Sequence, residues 1–291
     1  MSIAPRHLAF LFVITLIWGL NLVVSKMGVS QVSPLLFTTL RFLVLALPLI
    51  PFLRIVRGKM AAMAVAAVLS GGLNFALMFG GIALAQNVSS VAIAGQLGIP
   101  ITTLLSVALL GEVVRWRRAL GIGLSFAGVL TMGLDPQVFA YWPSLALVIA
   151  SAFVGSLGLI AVKKLPEFKP LEIQAWFAWM SLPALALLTW FIERPTVEDV
   201  AGISAVSWAA VAYTAIAASL IAHTGFYYLV QRYPVTSVAP ITVLSPVFSV
   251  IFSVTLLDDS LTPRIAIGGV ITLIGVLIIT ARERRLADIG T

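Results

Sequence analysis

The chain has no cysteine in 291 residues, which excludes disulfides, thiol nucleophiles and thiolate metal ligands. Charge is scarce as well. Asp, Glu, Lys and Arg make up 10% of the residues, where a soluble domain carries roughly 25%. All eleven acidic residues fall in expected loops or at helix ends, and none sits at the centre of an apolar run. Histidine occurs twice, as His7 and His223. Two histidines, no cysteine and no central carboxylate cannot build a metal site or a Ser-His-Asp triad within the apolar runs. No enzyme activity, no metal and no cofactor is therefore expected.

What fills the chain instead is apolar. Hydrophobic residues account for 60% of it, and the mean hydropathy is +1.10. Runs of about 20 residues, long enough to cross ~30 Å of hydrocarbon, recur throughout. They lie near 6–26, 34–53, 60–84, 88–110, 116–134, 143–163, 171–192, 206–231, 235–257 and 264–281. This predicts an all-α integral membrane protein with ten transmembrane helices.

The net charge of +7 does not mark a nucleic-acid binder, because the basic residues are sorted by loop. Counted from a cytoplasmic N-terminus, fourteen fall on the inner side, among them Arg115, Arg117, Arg118, Lys163 and Lys164. Only Lys26, Arg194 and Arg264 fall on the outer side. Cytoplasmic loops carry such an excess. Both termini are thus expected in the cytoplasm, in a multi-pass protein of a bacterial inner (plasma) membrane. The expected partners are the bilayer and a small-molecule substrate, with the chain a monomer. No A-x-A-like site follows the first run, which is read as the first helix and not a cleaved signal.

Two stretches are copies of each other. Residues Leu109 to Leu130 and Leu256 to Leu277 match at an offset of 147 at Leu109, Leu110, Arg117, Ala119, Gly121, Gly128, Val129 and Leu130, while Glu112 meets Asp259. Five helices per copy, an odd number, would insert the second copy upside down, as in transporters that bind substrate between inverted repeats. The expected units are a first five-helix repeat over 6–134, an inverted second over 143–281, and a cytoplasmic basic tail over 282–291. Between Pro246 and Gly268 the second copy has one residue more than between Pro100 and Gly121. That slip leaves open whether Asp258 or Asp259 matches Glu112.

The opening pattern FLFVITLIWGLNLVVSK, then SPLLFTTLRFLVLALP, resembles the first two helices of the drug/metabolite transporter superfamily. The stretch from Pro100 to Glu112, with Gly121 and Gly128 after it, is similar to the closing half of its EamA domain. Within the ten-helix EamA branch, the chain most resembles bacterial exporters of aromatic and other amino acids. The resemblance implies a central cavity bounded by the first, third, fourth, sixth, eighth and ninth helices, with the others as scaffold.

Polar side chains within the runs are few, and each needs a partner in lipid, either a neighbouring helix or a wet cavity. The candidate cavity residues are Trp18, Asn21, Asn74, Phe75, Phe79, Gln96, His223, Tyr227, Thr242 and Ser245. Gln96 and Thr242 stand four residues before Pro100 and Pro246, on the same helix face as each proline. Pro100 and Pro246 are expected to kink their helices during alternating access. Gly155 and Gly158 are candidate gating positions, with close helix packing as the other reading. His223, the one histidine in a run, is a candidate for substrate contact or proton coupling. Arg41 is read as a structural cation snorkelling toward the outer end, with a substrate carboxylate as the alternative. The expected function is facilitated, uncoupled export of aromatic and other neutral amino acids and related metabolites by alternating access. Proton-coupled multidrug or metabolite efflux is the alternative.

Overall fold

A computed structural model describes residues 3–111, 113–233, 238 and 241–281. Glu112, the tail over 282–291 and the side chain of Tyr227 lie outside that description. Among the described residues there is no β-strand. Backbone polar groups have no water to bond in a bilayer core, so a helix, which satisfies them internally, is the favoured form.

The principal helices are α1 (Pro5–Val29), α2 (Pro34–Leu49), α3 (Met60–Leu84), α4 (Val88–Leu110), α5 (Trp116–Gly133), α6 (Trp142–Lys163), α7 (Pro170–Glu193), α8 (Ala205–Phe226, continuing as Thr224–Arg232), α9 (Leu244–Leu256) and α10 (Pro263–Ala281). Eight of these are long and apolar enough to cross a membrane; α5 and α9 fall outside that set. Arg117 and Arg118 lie in the first turn of α5 and lower its hydropathy, and α9 has 13 described residues. Pro5, Pro34, Pro170 and Pro263 each open a helix. The missing N–H of proline costs nothing in that position.

The two prolines expected to kink helices do something else. α4 is two helices, Val88–Gly95 and Gly98–Leu110, joined by a turn at Gln96 and Leu97. Pro100 lies in the first turn of the second piece, and Pro246 lies in the first turn of α9. Leu97 and Val243, the residues before these pieces, share nearly the same backbone angles (φ −60, ψ −16 and φ −63, ψ −17). Each proline therefore starts a helix after a break and does not bend a continuous one.

Wide π-helical turns interrupt three helices: Val68–Leu73 in α3, Thr189–Glu193 at the end of α7, and Tyr213–His223 in α8. The repeat offset carries 68–73 onto 215–220, inside the α8 turn, so the third and eighth helices are distorted at matching places. Five-residue spacing brings Ser219 Oγ to the Thr214 carbonyl (3.0 Å) and His223 Nδ1 to the Ala218 carbonyl (2.6 Å). Such turns are rare and concentrate at functional sites.

α5 and α10 cross with their backbones nearly touching. A Cβ added at Gly128 would lie 2.5 Å from the Gly268 carbonyl oxygen, and one at Gly275 would lie 2.6 Å from the Gly121 oxygen. Gly121 therefore faces Gly275 while Gly128 faces Gly268, so the two helices run antiparallel at this contact. The offset of 147 takes Gly121 to Gly268, Ser125 to Thr272 and Gly128 to Gly275, so the contact maps onto itself. Ser125 and Thr272 each donate to the carbonyl four residues back, Gly121 (2.9 Å) and Gly268 (2.8 Å). Small residues of this kind let helices approach closely in lipid.

The loop after α9 settles the one-residue slip. Gly111, after α4, is left-handed at φ 69, and Asp258 is left-handed at φ 54. Asp258 thus fills the place of Gly111, and Asp259 is the residue that follows it, as Glu112 follows Gly111. A left-handed aspartate is strained where a glycine is not. Asp258→Gly is expected to stabilise the protein by up to about 1 kcal/mol, seen as a raised unfolding midpoint in detergent.

One end of the bundle is tied shut by hydrogen bonds that cross between the halves. Glu193, ending α7, accepts from Leu35 N, Leu36 N and Ser33 Oγ (2.8, 2.8 and 2.6 Å) at the start of α2. Negative charge at a helix N-terminus is favourable. Asp259 accepts from Ser89 N at the start of α4 (3.0 Å), where Ser89 Oγ meets Ser253 Oγ of α9 (2.7 Å). Asn87 donates to the Ser260 carbonyl (2.7 Å), and Thr262 donates to Asp135 (2.7 Å). Within the first half, Lys26 donates to the Ile82, Ala83 and Ala85 carbonyls at the end of α3. The opposite end carries the pair Lys59–Glu167 (2.9 Å) and, more loosely, Arg54–Glu172 (3.5 Å).

Candidate functional site

Two adjoining cavities occupy the middle of the bundle. The smaller, about 330 Å³, is walled by Arg41, Ser70, Asn74, Phe75, Gln174 and His223, among others. The larger, about 810 Å³, is walled by Gln96, Thr102, Ser151, Arg118, Lys163 and Phe226, among others. Asn74, Gly155 and Leu159 belong to both walls. These volumes fall within the roughly 300–1,000 Å³ range of small-molecule sites. The larger cavity reaches the end of the bundle that carries Lys163. Arg41, Arg118, Lys163 and His223 line the pair, and none of the described lining residues is a carboxylate.

Asn74 stands where the π-turn of α3 gives way to regular helix, and it is held firmly. Its Oδ1 accepts from Ser151 Oγ (2.8 Å), and its Nδ2 donates to the Ser70 carbonyl (3.2 Å). Gly155 and Gly158 lie opposite on α6, an unbroken helix from Trp142 to Lys163. A Cβ at Gly155 would lie 2.8 Å from Asn74 Oδ1, and one at Gly158 would lie 2.8 Å from Ser70 N. Both glycines thus serve close packing of α6 on α3, and α6 is helical on either side of them.

His223 sits at the end of the α8 π-turn, with its Nδ1 2.6 Å from the Ala218 carbonyl. A carbonyl only accepts, so Nδ1 donates this bond, and the ring borders the smaller cavity. Trp18 braces the ring edge-on at 5.1 Å and donates to the same Ala218 carbonyl (3.3 Å). Gln174 of α7 donates to the Ser219 carbonyl (2.7 Å). Side chains from α1, α2 and α7 thus converge on carbonyls of this one distorted turn.

Arg41 departs from the expectation of a cation at the outer end. It does not snorkel: it is 2% exposed and turns inward. Nε donates to the Thr214 carbonyl (3.3 Å) and Nη2 to Ser219 Oγ (2.6 Å). The guanidinium carbon lies 4.0 Å from the centre of the Phe75 ring and 5.4 Å from those of Phe42 and Phe79. Nη1 is buried with no hydrogen-bond partner. A buried, unpaired charge costs several kcal/mol, and cation–π contact returns about 2 kcal/mol when desolvated. The cation is only partly compensated.

The remaining candidates separate. Asn74, Phe75, Gln96 and His223 line the cavities. Trp18 lies behind His223, and Phe79 is core, 2% exposed against Phe37. Asn21 has a buried, unpartnered Oδ1, and neither it nor Thr242 nor Ser245 lines either cavity. The helices differ from expectation too. α2 and α7, expected as scaffold, wall the smaller cavity, while neither α1 nor α9 contributes a residue to these two walls. A cation in lipid is costly, and that cost draws α2 inward at Arg41. Gln174, polar in the middle of an apolar run, was the readable signal for α7.

The profile of the EamA-like transporter family matches the chain twice, over residues 6–134 and 142–281. Over its full length the chain is 28% identical to a Salmonella typhimurium (strain LT2) protein named "Probable amino-acid metabolite efflux pump", itself covered completely. An Escherichia coli (strain K12) protein of the same name is 25% identical, again with both chains fully covered. An "Uncharacterized transporter" of Archaeoglobus fulgidus is 26% identical over 93% of this chain and 96% of its own. One crystal structure superposes with a TM-score of 0.65 at 20% identity, covering 98% of this chain and 99% of the other. That last likeness is one of fold. With both halves matched by one family, the chain belongs to the EamA-like transporters of the drug/metabolite transporter superfamily.

Proposed function

We propose that this protein exports amino acids, aromatic and other neutral ones, and related small metabolites across a bacterial inner membrane by alternating access. The carrying observation is the cavity pair, lined by Phe75, Phe177, Asn74, Gln96 and His223 and by no described carboxylate. An intramembrane carboxylate is the usual handle for a coupling ion, so facilitated, uncoupled flux is the simplest mechanism for such a lining. α5 and α9 are, in this reading, the fifth and ninth of ten crossings. The self-mapping antiparallel contact of α5 with α10 supports two inverted five-helix units, and the sorted basic residues support cytoplasmic termini. The tied end then faces outward and the end at Lys163 faces the cytoplasm, so the conformation described is ready to load from inside. The names of the Salmonella and E. coli relatives point to the same cargo class.

The test is counterflow in liposomes holding the purified protein, with a panel of labelled amino acids that includes phenylalanine and tryptophan. Saturable exchange of at least the aromatic members is the expected result. Movement of a bulky organic cation with no amino acid exchanging would replace this reading. A second reading, proton-coupled efflux, is favoured by His223 alone, which borders the cavity. Flux that follows an imposed pH gradient and loses that dependence in His223→Gln would select it.

A further inference from the structure

We infer that Arg41 is a carboxylate-binding group of the central cavity, so that recognition requires an anionic carboxylate on the solute. This rests on the export reading and narrows its substrate class. Three observations carry it. Arg41 belongs to the wall of the smaller cavity. Its Nη1 is buried without a hydrogen-bond partner, whereas Nε and Nη2 are both bonded to α8. No described carboxylate lines either cavity, so nothing in the wall neutralises the cation.

A guanidinium offers its donors as a fixed fork suited to a carboxylate. Two arms of this fork are anchored to the π-turn of α8, which leaves the third to take a ligand oxygen. Phe75, stacked on the guanidinium at 4.0 Å, is the group a bound carboxylate pushes aside, and its ring then packs against the apolar part of the solute. His223 lies on the same wall, and its neutral ring, with Nδ1 donating to the Ala218 carbonyl, would offer Nε2 to an ammonium group beside that carboxylate. A hydrogen bond to a charged partner is strong enough that its removal is read as roughly a tenfold or greater loss of affinity.

The experiment uses the full chain in liposomes and, separately, its thermal unfolding in detergent at constant ionic strength. The probes are 3-phenylpropionate, which keeps the carboxylate and lacks the amine, phenethylamine, which does the reverse, and sulfate. Expected for the wild type is competition with labelled phenylalanine, and thermal protection, by 3-phenylpropionate at least about tenfold more potent than by phenethylamine. Arg41→Gln should bring the two probes within about twofold of each other, and Arg41→Lys should keep part of the preference. Should Arg41→Gln fail to fold, Arg41→Lys and the wild-type probe series decide alone. Equal potency of both probes on the wild type, an unchanged preference in Arg41→Gln, or equal protection by sulfate overturns the inference. If phenylalanine counterflow is absent while 3-phenylpropionate still protects only the wild type, the cargo reading fails and the carboxylate site stands.

Discussion

Gly128→Leu is expected to destabilise the protein by about 3 kcal/mol or more, while Gly123→Leu in the same helix leaves it unchanged. Overpacking of a well-packed interior typically costs 1–3 kcal/mol, and more where the neighbour cannot move. At Gly128 a Cβ would meet the Thr272 hydroxyl and, just behind it, backbone: the Gly268 carbonyl oxygen and the Thr272 nitrogen each lie 2.5 Å from where it would sit. Backbone inside a helix cannot turn aside as a side chain does, so α5 and α10 must separate. Their separation also withdraws Ser125 from Gly275, because the contact is reciprocal. Gly123 has nothing within 4 Å of its Cβ position and points away from the crossing. Unfolding midpoints in detergent, with the monodisperse fraction on size exclusion, measure the difference. Equal midpoints for the two variants would show that α5 and α10 do not cross as described.

The glycines of that crossing are legible in the sequence as a repeat, Gly121 and Gly128 recurring as Gly268 and Gly275, but the offset does not say that the two copies pack against each other. The site was legible only in part, for physical reasons. Gln96 and Pro100 were placed on one helix face, but a turn at Leu97 divides them, so the four-residue rule did not apply. Nothing in a string of apolar letters marks the π-turns at Val68–Leu73 and Tyr213–His223. The second of them has partners in other helices: Trp18, Arg41 and Gln174 supply donors to the α8 turn. Arg41 departs from expectation for the same reason, since its inward turn is set by the Thr214 carbonyl and the Ser219 hydroxyl, 173 and 178 residues away, which an isolated α2 cannot reveal. Phe75 and Phe79 differ by four residues, yet one borders the cavity and the other fills the core.

Joining Ser89 to Ser253 through a disulfide is expected to stop transport altogether, and reduction is expected to restore it. The natural chain has no cysteine, so a Ser89→Cys, Ser253→Cys variant contains one possible intramolecular bond and no competing thiol. The two hydroxyls lie 2.7 Å apart, which keeps their Cβ atoms within about 5.5 Å, near the ~3.5–4.5 Å that a disulfide spans. The bond would tie the start of α4 to α9, one from each half of the chain. It would sit beside the Asp259 cap on Ser89, where the shut end is held. Beyond these ties lies a separate cavity of about 290 Å³, bordered by Lys26, Gln31, Gln86 and Asp259, which shares no lining residue with the central pair. In the proposed alternating access the shut end opens between α4 and α9, so the carrier breaks the Ser89–Ser253 contact in every cycle. Hydrogen bonds of about 1 kcal/mol each allow that on the microsecond-to-millisecond scale of such motions, whereas a covalent bond does not. Counterflow of labelled phenylalanine, measured before and after oxidation and again after reductant, reads the outcome. Undiminished flux in the fully oxidised variant would mean that transport does not open the gap between α4 and α9, and alternating access by that route would be lost.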